Sequence, residues 1–183
     1  PNHPYFFLAD DALCRTADST LLLYPNAREN RTYRLPDGIA AISAYAFYDC
    51  DLLESVVIPD SITQLPARAF SGCSALASVS LPDSLTEVGT AAFSGCSALT
   101  GIRIPAAITE IINHTFSGCT SLATLEIPDS VTKIGDYAFF GCTSLTSIAI
   151  PDSVTEIGAN PFPRSGQQSN TLSHATPTFD VVD

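Results

Sequence analysis

Basic residues are scarce in this sequence. It carries 8 lysine and arginine side chains against 19 aspartate and glutamate side chains, for a net charge of −11, and Lys133 is the only lysine. Proteins that bind DNA or RNA gain most of their affinity by placing lysine and arginine against the phosphate backbone. The acidic balance therefore predicts a poor nucleic-acid binder, and no nucleic-acid partner is expected.

Long hydrophobic runs are also missing. A helix needs about 18 consecutive apolar residues to span a membrane, and the 183-residue sequence contains no such run. Hydrophobic residues nevertheless make up 45% of the chain, which is enough to build a continuous core and too much for a disordered protein. We expect a folded chain that does not insert this segment into a membrane.

Catalytic and metal-binding motifs are absent as well. His3, His114 and His174 have no serine, cysteine or carboxylate at a motif spacing, so they are expected to be solvated loop residues. The six cysteines form no Cys-x-x-Cys pair of the kind that binds zinc. The sequence therefore predicts no enzyme activity, no cofactor and no metal site.

What the sequence does contain is a repeat of 23 residues. Proline recurs at this spacing at Pro36, Pro59, Pro82, Pro105, Pro128 and Pro151, and cysteine recurs at Cys50, Cys73, Cys96, Cys119 and Cys142. Five full units begin at Leu35, Ile58, Leu81, Ile104 and Ile127, and a sixth loses the pattern after Phe162. A fixed period of roughly 20 to 30 residues is typical of a solenoid built from stacked units.

The residues before each proline have the pattern of a short strand. Leu125 and Ile127 point to one side of such a strand, and Thr124 and Glu126 to the other. One unit cannot bury its apolar side alone, so successive strands should pair in parallel around a shared core. Proline lacks an N–H and should end each ladder. Later in the unit, aliphatic residues three positions apart fit either a tight turn or a very short second strand on the opposite face.

An aspartate follows most of these prolines. The column comprises Asp37, Asp60, Asp83, Asp129 and Asp152, and Ala106 interrupts it. Calcium between the units is one interpretation of such a column. Aspartate after proline is also a common turn residue, because its side chain bonds nearby backbone N–H groups, and we favour the turn.

Two glycine columns predict different backbone requirements. Gly72, Gly95, Gly118 and Gly141 share a column in which Asp49 is the one replacement. Aspartate tolerates the left-handed region, so this column predicts a helical turn that ends in a left-handed cap. The other glycine column contains Pro66, whose φ is fixed near −65°, so the glycines there should serve close packing.

Phenylalanine and cysteine should line the interior. The phenylalanines are expected to stack as an aromatic spine: Phe47, Phe70, Phe93, Phe116, Phe139 and Phe162. The cysteines of the repeat share one column whose rungs are roughly 4.8 Å apart. Side chains in parallel register do not give the dihedral angle that a disulfide needs, so we expect buried thiols. The sequence does not place Cys14.

The repeated unit I-P-D-S-V-T-x-I-G-x-x-A-F-x-G-C-x-S-L-x-x-I resembles the BspA-like leucine-rich repeat family over residues 35–162. The resemblance implies a right-handed leucine-rich repeat solenoid, with a parallel sheet on its concave face and short strands, turns or helical turns on the other. It also implies a secreted or cell-surface protein that acts in recognition or adhesion, from a family found mostly in host-associated bacteria and in some protozoa. Repeat scaffolds keep the core and vary the surface, so the resemblance transfers no ligand.

The sequence divides into three parts. Residues 1–34 form a non-repeating block whose two apolar runs predict a β-hairpin or two-strand cap, residues 35–163 form the solenoid, and residues 164–183 comprise a polar loop over 164–173 and the start of a second connecting block. The segments 2–10 and 175–183 resemble each other. We therefore expect a piece of a longer array whose secretion signal and anchor lie outside this sequence.

Candidate binding residues lie where the strands should face outward on the concave side. This first set comprises Ser55, Val57, Ser78, Ser80, Gly101, Arg103, Thr124, Glu126 and Ser147. Arg103 and Glu126 are expected to form a weak surface pair. A second candidate is the aromatic pair Tyr48 and Phe140, in a column that elsewhere holds serine.

Two functions fit these candidates. In the first, an unidentified host or self surface protein, or a glycan, binds the strand side of an extracellular module. In the second, the chain is a passive spacer within a longer surface protein.

Lys133, between Glu110 and Glu156 in its column, should relieve the repulsion between those two carboxylates.

Overall fold

A computed structural model describes residues 3–26, 29–163 and 171–173 of the chain. The described residues contain strands and turns but no helix, and therefore none that could cross a membrane. The strands are β1 (Phe6–Ala9), β2 (Ala12–Arg15), β3 (Thr20–Leu23), β4 (Thr32–Arg34), β5 (Ala41–Ile42), β6 (Ser55–Val57), β7 (Gln64–Leu65), β8 (Ser78–Ser80), β9 (Glu87–Val88), β10 (Gly101–Arg103), β11 (Glu110–Ile111), β12 (Thr124–Glu126), β13 (Lys133–Ile134), β14 (Ser147–Ala149), β15 (Glu156–Ile157) and β16 (Thr171–Ser173).

Each repeat unit contributes one three-residue strand to a parallel array, as the period predicts. The pairing is in register, with Ser55 opposite Ser78 and Gly101 opposite Thr124. In the described part of the chain the hydrogen-bonded ladders group as β4–β6–β8, β10–β12 and β14–β16. We call the outward-facing residues of these strands the strand face. The middle residue of each strand points inward, because successive side chains of a strand alternate between its two sides.

The opposite side carries strands of only two residues each, namely β5, β7, β9, β11, β13 and β15. Both alternatives that the sequence left open occur here. Ile62 N–H donates to Pro59 C=O at 3.0 Å in a tight turn, and Gln64–Leu65 then pairs in parallel with Glu87–Val88. On this side Lys133 lies opposite Glu156 and Glu110. Its Nζ is 3.2 Å from a Glu156 carboxylate oxygen, so the lysine lies between the two carboxylates as the sequence predicts.

The phenylalanine spine is confirmed. Consecutive rings from Phe47 to Phe162 stack with centroids 4.7 to 5.9 Å apart, and Phe70, Phe93 and Phe116 lie nearly parallel to one another. The first five rings are buried and Phe162 is half-buried. The aliphatic columns pack around the spine to form one core through the whole stack.

The predicted helical turn is not confirmed. The segment around each phenylalanine forms single turns, such as Tyr48 N–H to Tyr45 C=O at 3.0 Å, and no helix propagates. Two features explain this. Phe70 N–H donates at 2.8 Å to Ala92 C=O of the next unit, so an amide that a helix would use joins two units instead. A column without glycine also adopts positive φ, with values of 47° to 63°: Tyr45, Arg68, Ala91, His114, Tyr137 and Asn160.

The left-handed backbone predicted for one glycine column and the close packing predicted for the other are both confirmed. Gly95 has a φ of +78°, and Asp49, the replacement in its column, has a φ of +52°. Gly89 belongs to the other column and has no positive φ. A Cβ built on Gly89 would lie 2.4 Å from the backbone nitrogen of Ala67, so only glycine allows the neighbouring unit to approach this closely.

The cysteine column lies in the core, where all of its members are buried and free. Each inner thiol faces a carbonyl of the preceding unit: the Cys96 Sγ is 3.1 Å from Phe70 C=O and the Cys119 Sγ is 3.2 Å from Phe93 C=O. Burial raises the pKa of Cys96 to about 12. Cys14, which the sequence did not place, is buried opposite Leu21 in the sheet that precedes the repeats.

The N-terminal cap has one strand more than predicted. The two apolar runs form β1 and β3, and the segment between them supplies β2, which pairs antiparallel with both. Its residues alternate, so that Ala12 and Cys14 are buried and Leu13 and Arg15 are exposed. The polar residues on either side of this strand explain why the sequence did not predict it. β3 then pairs in parallel with β5, which connects the cap to the solenoid.

The polar loop predicted for residues 164–173 is wrong at its end. Thr171–Ser173 forms β16, which pairs in parallel with β14 and adds a rung beyond the sixth unit. The free edge of β14 can pair with another strand through backbone hydrogen bonds alone. A segment without an apolar pattern can therefore form this strand, which is why the sequence did not predict it. Residues 164–170, His174 and the resemblance between segments 2–10 and 175–183 involve residues outside the described part of the chain.

Candidate functional site

The strand face contains every residue of the first candidate set. Ser55, Val57 and Gly101 are half-buried and the others are exposed: Ser78, Ser80, Arg103, Thr124, Glu126 and Ser147. Over β6 and β8 the side chains are small and uncharged. Charge enters at β10 and β12, where Arg103 and Glu126 are paired in register. That these residues bind a partner stays a prediction.

A cavity of about 640 Å³ opens at the carboxyl ends of β10 and β12. Its lining combines apolar side chains with an arginine, a threonine and a glutamate: Ile102, Arg103, Ile104, Ala106, Thr124, Leu125, Glu126 and Pro128. This volume lies within the range of sites that hold small ligands or an anchoring side chain, roughly 300 to 1,000 Å³. The cavity is open to solvent on the strand face, and part of its wall is apolar.

Two local departures from the repeat mark this position. Ala106 stands where five other units have aspartate, so the wall here is small and apolar instead of charged. Leu125 is only half-buried, whereas Val56, Val79, Ile102 and Ile148 in the same column are buried. An inward-facing side chain is thus accessible from outside at this one strand of that column.

The electrostatics of the rim differ from the prediction. Arg103 forms its ion pair with Asp83, at 2.6 Å between Nη1 and Oδ1, and not with Glu126. Asp83 lies in the turn that ends the preceding strand, within reach of the long arginine side chain. The hydrogen bond to Asp83 raises the pKa of Arg103, and the charge of Glu126 contributes less. Glu126 therefore presents a carboxylate at the cavity that Arg103 does not bind directly.

The second candidate pair lies elsewhere. Tyr48 and Phe140 are 42% and 41% exposed, and neither lines the cavity. Each packs edge-on against a tyrosine three residues earlier, with centroids 5.7 Å apart: Tyr45 for Tyr48 and Tyr137 for Phe140. Four units separate the two pairs, or roughly 19 Å at the spacing of neighbouring strands. The structure does not combine them into one site.

Sequence reasoning missed the neighbours of these aromatic residues. His114 stacks on Tyr137 at 5.1 Å between centroids, and the guanidinium of Arg68 lies 5.8 Å above the Tyr45 ring. Tyr45, Arg68, His114 and Tyr137 all belong to the column with positive φ. The recurrence of that column every 23 residues is the sequence signal that could have predicted these contacts. For the cavity, the signal was Ala106, which entered the sequence argument only as an interruption of an aspartate column.

Titratable groups gather into no metal site in the part of the chain that the structure describes. His3 and His114 are exposed and lie beside aromatic rings, with His3 5.2 Å from Phe6 between ring centroids. Arg15 forms a two-point contact with Asp18 in the cap, which lowers the pKa of that carboxyl to about 2. This pair closes the turn between β2 and β3 and lies apart from the strand face.

The stacked units, the parallel strand array and the buried leucine, phenylalanine and cysteine columns define a leucine-rich repeat solenoid. Residues 40–169 match the family model described as "BspA type Leucine rich repeat region (6 copies)". The chain belongs to this family. No curated protein matches it.

Three solved structures share the fold. A leucine rich cell surface protein from Faecalibacterium prausnitzii is 32% identical with a TM-score of 0.74, and the match covers 90% of this chain and 41% of that protein. The T. pallidum leucine rich repeat protein is 28% identical with a TM-score of 0.66, covering 90% and 83%. A leucine-rich repeat protein from Bacteroides ovatus is 26% identical with a TM-score of 0.63, covering 76% and 42%. The chain thus spans less than half of the first and third proteins.

Proposed function

We propose that this chain is a recognition module that binds a protein partner on its strand face, with the cavity between β10 and β12 as the anchoring site. The observation that carries the proposal is the cavity itself, which lies where the repeat departs from its own pattern. At this one place the turn aspartate is replaced by Ala106 and the inward-facing Leu125 is half-buried.

The lining favours a particular partner chemistry. Ile102, Ile104 and Leu125 accept an apolar side chain, and Glu126 at the rim accepts a hydrogen bond from a donor. Asp129 adds negative charge at the end of β12, whereas the charge of Asp83 is already paired with Arg103. The best fit is a protein segment that carries an aliphatic or aromatic residue next to lysine or arginine, because an apolar anchor with a charged neighbour gains both affinity and orientation.

We further propose that the module acts at a bacterial cell surface or outside the cell, in adhesion to a host or self surface protein. Support comes from the F. prausnitzii relative, which is described as a cell surface protein. The net charge of −11 is consistent with a partner that presents a basic patch.

The test combines a binding screen with variants of the cavity. The chain is probed against arrays of surface and matrix proteins and of glycans, and each hit is measured again with Ala106→Asp, which restores the repeat pattern and places a carboxylate in the apolar wall. We expect at least a tenfold loss of affinity, because this carboxylate is exposed to water in the free chain and would lose that water against the partner's apolar anchor. Arg103→Glu, at the rim, and Ser78→Tyr, on the adjacent strand β8, map the extent of the site.

Ser94→Tyr is the matched control. Ser94 occupies the column that naturally holds Tyr48 and Phe140, so an aromatic residue is tolerated there and lies away from the strand face. Affinity should be unchanged in this variant. A hit whose affinity survives Ala106→Asp, Arg103→Glu and Ser78→Tyr but falls in Ser94→Tyr would move the site to the aromatic column and end the proposal.

A passive spacer is the second candidate. It is favoured by the small, uncharged side chains of β6 and β8 and by backbone hydrogen bonds that join each unit to the next, such as Gly95 N–H to Ser117 C=O at 2.7 Å. A spacer yields no hit in the screen, and Ala106→Asp then changes only the stability.

A further inference from the structure

The first strand of the cap is an exposed sheet edge with no charge on it. The sheet order is β1–β2–β3–β5, so β1 has a strand on one side only among the described residues. Its residues are exposed on both faces: 69% for Tyr5, 39% for Phe6, 39% for Phe7 and 66% for Leu8. Natural proteins protect such edges with charged residues or proline. Between Tyr5 and Ala9 this edge has neither.

The hydrogen-bonding groups of this edge follow from the turn that joins β1 to β2. Asp10 and Asp11 both have positive φ, 45° and 66°, as in the two-residue type I′ turn. Ala9 and Ala12 flank the turn, and Thr16 N–H donates to Tyr5 C=O at 2.9 Å. Antiparallel pairs alternate between hydrogen-bonded and non-bonded. Residues 5, 7 and 9 therefore bond to β2, whereas the N–H and C=O groups of Phe6 and Leu8 point away from the sheet.

We propose that β1 pairs with β1 of a second copy of this chain, antiparallel about a two-fold axis through Phe7. In this register Phe6 of one copy lies opposite Leu8 of the other, and each such pair exchanges both of its backbone hydrogen bonds. A register centred on Phe6 would place Leu8 opposite Pro4, which has no N–H. A register centred on Leu8 would place Phe6 opposite Asp10, which lies in the turn.

The side chains favour the same register. Phe7 lies in a cross-strand row with Cys14 and Leu21, both buried, and the second Phe7 would extend this row. On the other face, Leu8, Leu13 and Leu23 form an exposed row that would continue into Phe6 of the second copy. Pairing thus gives both faces of the edge an apolar neighbour. A two-fold contact also closes on itself, which yields a dimer instead of a fibre.

Charge allows this association although the whole chain is acidic. An antiparallel register sends the two Asp10–Asp11 turns to opposite ends of the paired strands, where Asp11 of one copy meets His3 of the other. No carboxylate then faces another across the axis. Only the short strand β1 of each copy takes part, so the contact should fall below the roughly 1,200 Å² of stable interfaces. We therefore expect a weak dimer that forms at high protein concentration and at the locally high concentration on a surface.

Sedimentation equilibrium from micromolar to millimolar protein tests the dimer. Leu8→Pro removes an outward N–H and keeps the bonds of β1 to β2, since proline is tolerated on an edge strand when its missing N–H faces solvent. The dimer should weaken at least tenfold in this variant, with the melting temperature nearly unchanged. Leu52→Asp, at an exposed leucine outside the cap, should dimerise like the parent chain.

Cysteine substitution tests the register independently. Cys14→Ala first removes the thiol that lies opposite Phe7 in the same chain. In that background Phe7→Cys places the new thiol opposite its own copy in a non-hydrogen-bonded pair, where the Cβ atoms are closest, so mild oxidation should give a disulfide-linked dimer. Phe6→Cys and Leu8→Cys do not face themselves and should link far more slowly. A chain that stays monomeric at millimolar concentration, or Phe7→Cys that links no faster than Leu52→Cys, would overturn the proposal.

Discussion

The phenylalanine spine and the strand face run the length of the same solenoid, but they vary in opposite ways. Every unit places phenylalanine at the spine position, whereas the strand-face column through Arg103 changes from unit to unit: Arg34, Val57, Ser80, Arg103, Glu126 and Ala149. A spine ring touches the ring before it and the ring after it, so one change disturbs two interfaces. A strand-face side chain faces solvent and can change without that cost.

The spine should therefore show the largest effect on stability. Phe93 is buried between Phe70 and Phe116, at 5.5 and 5.7 Å between centroids. Phe93→Ala leaves a cavity within the stack and should lower the free energy of unfolding by about 3–5 kcal/mol. Ser78→Tyr, on the strand face, should change it by less than about 0.5 kcal/mol. Urea denaturation of the two variants checks this, and equal midpoints would contradict the comparison.

The spine was also the part that the sequence could predict. Period, strand positions and inward columns follow from residue type alone, because burial selects the same residue at the same place in each unit. The helical turn is not confirmed because Phe70 N–H bonds to the next unit, and a single unit's pattern does not contain that partner. The cavity and the Arg103–Asp83 pair depend on how side chains from different units meet. The sequence could therefore point to individual residues there but could not predict which of them contact each other.

The two glycine columns are under different constraints: one lacks room for a Cβ atom, and the other needs a positive φ. Gly89→Ala drives a Cβ to within 2.4 Å of the Ala67 backbone nitrogen and should cost about 1–3 kcal/mol through overpacking. Gly95→Ala meets only a contact of 3.5 Å, but its φ of +78° should cost about 1–2 kcal/mol. Asparagine distinguishes the causes, since it tolerates the left-handed region. Gly95→Asn should recover part of the loss in thermal melts, and Gly89→Asn should not.

The buried thiols predict how the core responds to alkali. The pKa of Cys96 is about 12 in the folded chain against an ordinary value of 9.0, because burial disfavours the thiolate. Between these values the unfolded chain binds fewer protons than the folded one, so the free energy of unfolding falls as the pH rises. The contribution of one thiol is about 1.4 kcal/mol per pH unit. Cys96→Ala should therefore lose less stability than the parent chain from about pH 8 to about pH 10, measured by urea denaturation at each pH. Parallel losses in the two proteins would show that this thiol ionises as readily in the folded state.

The smallest effect should come from the ion pair on the strand face. Arg103 and Asp83 are 70% and 80% exposed at their side chains, and solvent screens such a pair despite its 2.6 Å separation. Asp83→Ala should change the free energy of unfolding by no more than about 0.5 kcal/mol. The same variant should nevertheless free the Arg103 side chain to pair with Glu126, whose charge already contributes to the raised pKa of Arg103. Partner affinity would then fall while stability holds, because the Glu126 carboxylate would no longer be available to the partner at the cavity rim. A double-mutant cycle of Asp83→Ala with Glu126→Gln measures this: the two losses of affinity should be much less than additive, and fully additive losses would show that Arg103 does not move.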